Sequence, residues 1–235
     1  MARMARLVQQ GFPYHVTHRG NRRAEIFASD ADRGRYLALL KAYAERFALE
    51  VWAYCLMPNH VHLIVMPRRA DAMALAIGNA HRAFSRLVNE GNGWTGHLWA
   101  NRFYSTLLDD QHLWEAVRYV ELNPVRADLA LLATDYPWSS ARTHALGATS
   151  DLLAASRPFP GAIRDWATWL GEGIDVTALE RLRLNTSTGR PSVGPQMLEW
   201  LERCHGRPLH PCRRGHHAIA ADVAARTCKP RSMPG

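Results

Sequence analysis

The chain has 235 residues, 47% of them apolar, and a formal net charge of +8 with a pI near 9.8. That length exceeds the needs of one small core, so a main domain with an appendage is expected. No run is long enough to span a membrane, and the opening MARMARLVQQGF lacks the apolar stretch of a signal peptide, so the expectation is a soluble cytoplasmic protein whose basic charge seeks a polyanion, usually a phosphate backbone.

Residues 13–20, PYHVTHRG, read as a first strand closing on a glycine turn. The turn gathers Arg19, Arg22 and Arg23, an ordinary solvated loop unless a phosphate site lies beside it. Lys41 and Lys229 are the only lysines, so arginine, the better bidentate phosphate donor, carries nearly all the positive charge. Ser29 or Asp30 caps a helix over 31–47, with Tyr36, Leu37, Leu40 and Phe47 on its apolar face. A second strand at 50–56 meets the tight turn Met57-Pro58-Asn59. The third strand runs to Pro67 and alternates faces, with His60, His62 and Ile64 on one side and Val61, Leu63 and Val65 on the other. Two imidazoles about 7 Å apart at Cα can converge on one metal ion. Two satisfied structural histidines are the alternative.

A helix over 71–90 carries Met73, Ala76, Ile77, Ala80, Phe84, Leu87 and Val88 at helical spacing. GNGWTGHLW connects it to a fourth strand at 102–108. A helix follows over 110–122 and is expected to stop before Pro124. The order β-α-β-β-α-β-α implies an α+β, ferredoxin-like or RRM-like sandwich, an antiparallel-rich sheet with helices on one face.

On the last of these helices Leu113, Ala116, Val117 and Val120 form the core stripe. Tyr119 and Asn123 lie together on its flank, one turn apart, with His112 on the same flank and Glu115 further round. A flanking tyrosine commonly packs with its hydroxyl at the surface, and a catalytic role is the alternative. DYPWSSARTHALG then forms an aromatic turn expected to pack back. The shift to Ala, Ser and Pro near 149–160 divides a domain at 1–148 from a C-terminal extension at 149–235. The extension holds short helices and, from Arg207, a basic tail expected to be disordered. Cys55 reads as a core residue. Cys204, Cys212 and Cys228 lack the close pairing of a zinc site, and no disulfide framework is expected.

Four stretches, LMPNHVHLIV, GHLWANRFYS, YVELNPVRADL and YPWSSARTHALG, together resemble the REP-associated tyrosine transposases, relatives of the single-strand transposases with a His-hydrophobic-His motif. HRGNRRAEIF also fits, and residues 185–210 match loosely. The tail is less basic than the family's. The resemblance implies a transposase that cleaves and rejoins single-stranded DNA through a 5′-phosphotyrosine link. His60 and His62 match the metal-binding histidines, Tyr119 the nucleophile, and Asn123 the helix residue that completes the metal site. The implied ion is Mg²⁺ or Mn²⁺, and the implied partner is DNA of repetitive extragenic palindromes folded as hairpins. Arg19, Asn21, Arg22 and Arg23 are the candidate DNA contacts, Trp94 and Trp99 possible stacking platforms, and His112 and Glu115 possible helpers of the phenol. The protein would act as a monomer or homodimer. The rival readings are a hairpin-binding protein that does not cut and a metal-dependent nuclease that uses water.

Overall fold

In the computed structural model, which describes residues 6–158 and 162–210, four strands build one antiparallel sheet. They are β1 (Tyr14–Arg19), β2 (Leu49–Met57), β3 (His60–Pro67) and β4 (Tyr104–Leu107), in the order β2-β3-β1-β4. Helices α1 (Asp30–Arg46) and α2 (Ala72–Asn92) make the two crossovers of a ferredoxin-like sandwich. Ser29 starts α1 with a capping box, its Oγ accepting from Asp32 N while the Asp32 carboxylate accepts from Ser29 N. Helix α2 ends at Gly93, whose φ of 64° suits a residue without Cβ.

Strand alternation decides what each face meets. Val61, Leu63 and Val65 point to α1 and α2, and pack with Tyr36, Leu40, Met73, Ile77 and Phe84. Ile64, Ala53 and Cys55 point the other way and are equally apolar, so that face must also be covered. Helix α3 (Asp110–Arg126) covers it with Leu113, Ala116, Val117 and Val120, joined by α5 (Trp166–Gly171) and α6 (Val176–Thr188). The sandwich is therefore as expected, but its helices lie on both faces instead of one.

Helix α3 also runs through Pro124 to Arg126, beyond its expected end. Proline removes the N–H that would serve the Val120 carbonyl. The side chain of Asn123 makes up part of the loss, its Nδ2 donating to Tyr119 O at 2.8 Å and Val120 O at 3.4 Å.

The aromatic turn does pack back: Ser140 N donates to Tyr54 O, and α4 (Ala141–Leu146) follows. Beyond it the chain protects both edges of the sheet. Ala154 N donates to Val51 O on β2, and Ser192 N to Leu107 O on β4. Helix α7 (Pro195–His205) closes the described chain, and Cys55 is a buried free thiol. Cys212, Cys228 and most of the basic tail lie outside the described residues.

Candidate active site

Strand β3 turns His60 and His62 toward α3, with ring centroids 4.9 Å apart. Helix α3 answers with Tyr119, whose ring lies edge-on to His62 at 5.2 Å. Asn123, one turn further along α3, joins these three around a cavity of about 400 Å³. The four residues singled out on the strand and the helix are thus neighbours.

Two anchors fix the placement of α3, one half-buried and one buried. At its start the Asp109 carboxylate accepts from His112 N at 2.9 Å and from Gly194 N, before α7, at 2.7 Å. Near its middle Glu121, fully buried, accepts from Ser140 Oγ, His144 Nδ1 and Trp166 Nε1 at 2.5–2.7 Å. Those partners sit in the aromatic turn, α4 and α5. Tyr119 is two residues from Glu121 and only 5% exposed.

Hydrogen bonds assign the ring nitrogens. Asn59 Oδ1 can only accept, so His60 Nδ1–H donates to it at 2.6 Å and Nε2 keeps its lone pair. The same Asn59 donates through Nδ2 to Arg23 O, tying His60 to the arginine turn. His62 Nδ1 meets His15 Nε2 at 2.9 Å, and His62 Nε2 is buried with no hydrogen-bond partner among the described residues. Burial, assisted by Arg19, pushes His60 down to about 4. Burial first, then the neighbouring His60, His15, Arg19 and Arg183, holds His62 well below the ordinary imidazole value. Burial alone takes His15 to about 3. All three rings are therefore neutral near pH 7, the form that ligates metal.

The residues fit a divalent ion. Two imidazole nitrogens carry lone pairs, and one of them is an orphaned buried atom. Among the described residues no three His, Cys, Asp or Glu side chains form a ligand group; beside the two imidazoles stands the Asn123 amide, whose Nδ2 is spent on α3 and whose Oδ1 is not. An ion held by two imidazoles and an amide oxygen would keep further positions for phosphate oxygens and water.

The cavity also holds residues the sequence did not single out. His15 stacks on His62 at 5.2 Å and lies edge-on to Tyr119 at 5.6 Å. Its signal was present in β1, where His15, Thr17 and Arg19 alternate on one face and pair with Ile64, His62 and His60. Arg126 and Arg183 bring guanidinium carbons to 5.4 and 5.6 Å from the centre of the Tyr119 ring. Arg126 follows Tyr119 by seven residues, two helical turns, and was findable by periodicity. Arg183 and Thr186 come from α6, which no local pattern connects to the cavity. Tyr104, paired with Thr17, is a second phenol on the wall.

Other expected residues fall elsewhere. Arg19 lines the cavity, whereas Asn21, Arg22 and Arg23 form an exposed turn beside it, with Arg22 and Arg23 at φ of 54° and 62°. His112 is held at the start of α3 by Asp109, and neither it nor Glu115 lines the cavity. Trp99 is a core residue packed against both His18 and His81, and Trp94 is 59% exposed.

Residues 8–123 match the family described as "Transposase IS200 like", a span that reaches from the lead into β1 to Asn123. A protein of Haemophilus influenzae described as a REP-associated tyrosine transposase is 28% identical over 111 residues, covering 43% of this chain and 63% of that relative's length. A solved structure of a REP-associated tyrosine transposase bound to a REP hairpin shares the fold, with a TM-score of 0.53 and 19% identity over 66% of this chain and 93% of that one. No described helix is long and apolar enough to cross a membrane. With the family's matched span ending on the helix that carries Tyr119 and Asn123, the chain is similar to the IS200-like transposases and to their REP-associated tyrosine members.

Proposed function

We propose that this protein is a metal-dependent single-stranded DNA transesterase that cuts and rejoins hairpin-forming repetitive palindromes through a phosphotyrosine intermediate. The observation that carries the reading is the Tyr119 ring, 5.2 Å from His62 in a cavity shared with His60 and Asn123. A divalent ion, when bound by His60 Nε2, His62 Nε2 and Asn123 Oδ1, supplies Lewis-acid neutralisation of the phosphate's developing charge.

The protein's own groups do the rest. The Tyr119 oxygen attacks phosphorus, forming the O–P bond as the P–O3′ bond breaks. The phenol's proton is lost and the departing 3′ oxygen gains one, so the products are a 5′-phosphotyrosine and a 3′-OH. Attack by a different 3′-OH reverses the step and joins a new strand. Arg126 and Arg183, near the phenol ring, lower the cost of its negative charge and grip the adjacent phosphate. Arg19, Asn21, Arg22 and Arg23 extend this basic surface outward along the DNA backbone. The hairpin held by the structural neighbour supports the choice of folded single strands as partner.

The test is a labelled hairpin oligonucleotide incubated with the protein and Mn²⁺, then run on a denaturing gel. The expected result is a covalent protein–DNA band that Tyr119→Phe abolishes. Cleavage that survives in Tyr119→Phe and releases free 5′-phosphate would point to a water-using nuclease. Hairpin binding with no cleavage by the wild type would point to a non-cutting protein.

A further inference from the structure

The metal reading leaves open why His62, a symmetric acceptor or donor in isolation, should present a lone pair to the cavity. A chain of three hydrogen bonds answers this. Thr186 Oγ1 donates its one proton to Leu182 O, 2.7 Å away within α6. The same oxygen lies 2.9 Å from His15 Nδ1, so here it must accept. His15 therefore carries its proton on Nδ1 and offers a lone pair at Nε2. That lone pair is 2.9 Å from His62 Nδ1, which must then be the protonated nitrogen. His62 Nε2 is left as the unprotonated atom, and it is the buried nitrogen with no partner among the described residues. The opposite tautomer of His15 would put a proton on that nitrogen, creating a buried N–H with nothing to receive it.

We propose that Thr186 and His15 are positioning residues that lock His62 in the tautomer able to bind metal, so that α6 of the C-terminal extension is a working part of the active site. This rests on the metal-dependent reading above. It gives α6 a role that its chain position does not suggest, since Thr186 and His15 are 171 residues apart. Outer partners that fix a ligand imidazole commonly govern metal affinity by 10–100-fold.

The experiment is long-range ¹H–¹⁵N correlation of the histidine rings in the full, metal-free chain near neutral pH, with Mn²⁺ affinity measured in parallel by calorimetry. The wild type should show protons on Nδ1 of both His15 and His62. Thr186→Val should release the lock, giving mixed tautomers at both rings and a Mn²⁺ Kd roughly 10–100-fold higher, while Thr186→Ser keeps both near wild type. A wild-type His62 protonated on Nε2 overturns the proposal with no variant needed. So does a folded Thr186→Val with unchanged tautomers and Mn²⁺ affinity. If the wild-type tautomers are as stated but Mn²⁺ does not bind, the relay stands and the metal-dependent reading fails instead.

Discussion

Asn123 is asked to do two things, and the adjoining Pro124 allows them to be separated. Its Nδ2 donates to the Tyr119 and Val120 carbonyls, the latter deprived of a donor by proline, while its Oδ1 is the proposed ligand. Asn123→Ala removes both functions. The 2.8 Å bond is buried and the 3.4 Å one is weak, so the structural loss is about 1–2 kcal/mol. In a chain of this size that lowers Tm by roughly 2–8 °C. The double variant Asn123→Ala/Pro124→Ala restores an N–H for Val120 and removes proline from the helix, an intrinsic gain of up to about 3 kcal/mol in a helix interior. It should therefore melt at or above the wild-type temperature. Yet it still lacks the amide oxygen, and hairpin cleavage with Mn²⁺ should fall by roughly 10-fold or more. Thermal melts and initial cleavage rates on the same preparations read both effects. A double variant with wild-type stability and wild-type cleavage would refute the ligand assignment and leave Asn123 a helix-mending residue.

Other outcomes follow from the same geometry. Glu121→Ala removes the acceptor of three buried side-chain hydrogen bonds and should cost about 3 kcal/mol or more in urea unfolding, whereas a loss below about 1 kcal/mol would contradict its role as an anchor of α3. The Asp109–His112 pair should give stability a pH profile. Hydrogen bonding to Asp109 raises His112 above 6.5, so its contribution is full below that value and is lost as pH rises through the raised one. Burial would raise Asp109, but the bonds from His112 and Gly194 outweigh it and hold the carboxyl below 3.8, so its contribution is present above 3.8 and is lost as pH falls through the lowered value. Asp109→Asn should flatten the decline of Tm from pH 6 to pH 8, and an unflattened decline would discount the pair. Replacing Arg22 and Arg23 together by alanine should weaken hairpin binding at low salt and reduce the salt slope by about 1.4, at roughly 0.7 per phosphate on single strands. An unchanged slope would remove the turn from the DNA contact surface.

What was legible in the chain was what local spacing encodes. The period-two placement of His60 and His62 and the one-turn spacing of Tyr119 and Asn123 each identify a face, and the sheet brings those faces together. Pro124 misled because its usual effect is offset by the side chain just before it. The second helical layer was missed because α3 looked like an addition to a finished sandwich, although Ala53, Cys55 and Ile64 left an apolar face that demanded cover. Arg183 and Thr186 were invisible because their contacts join α6 to β1 and α3 across a distance that periodicity cannot span. His15 was readable in principle, one residue in a strand that alternates as β3 does.

The central claim is that the phenol of Tyr119, and not another phenol on the same cavity wall, becomes linked to DNA. Peptide mass spectrometry on protein trapped with a hairpin oligonucleotide and digested with protease and nuclease addresses it directly. The account predicts a nucleotide-5′-phosphate mass on the peptide bearing Tyr119. The same mass on the peptide bearing Tyr104, or cleaved DNA with no modified tyrosine at all, would contradict it.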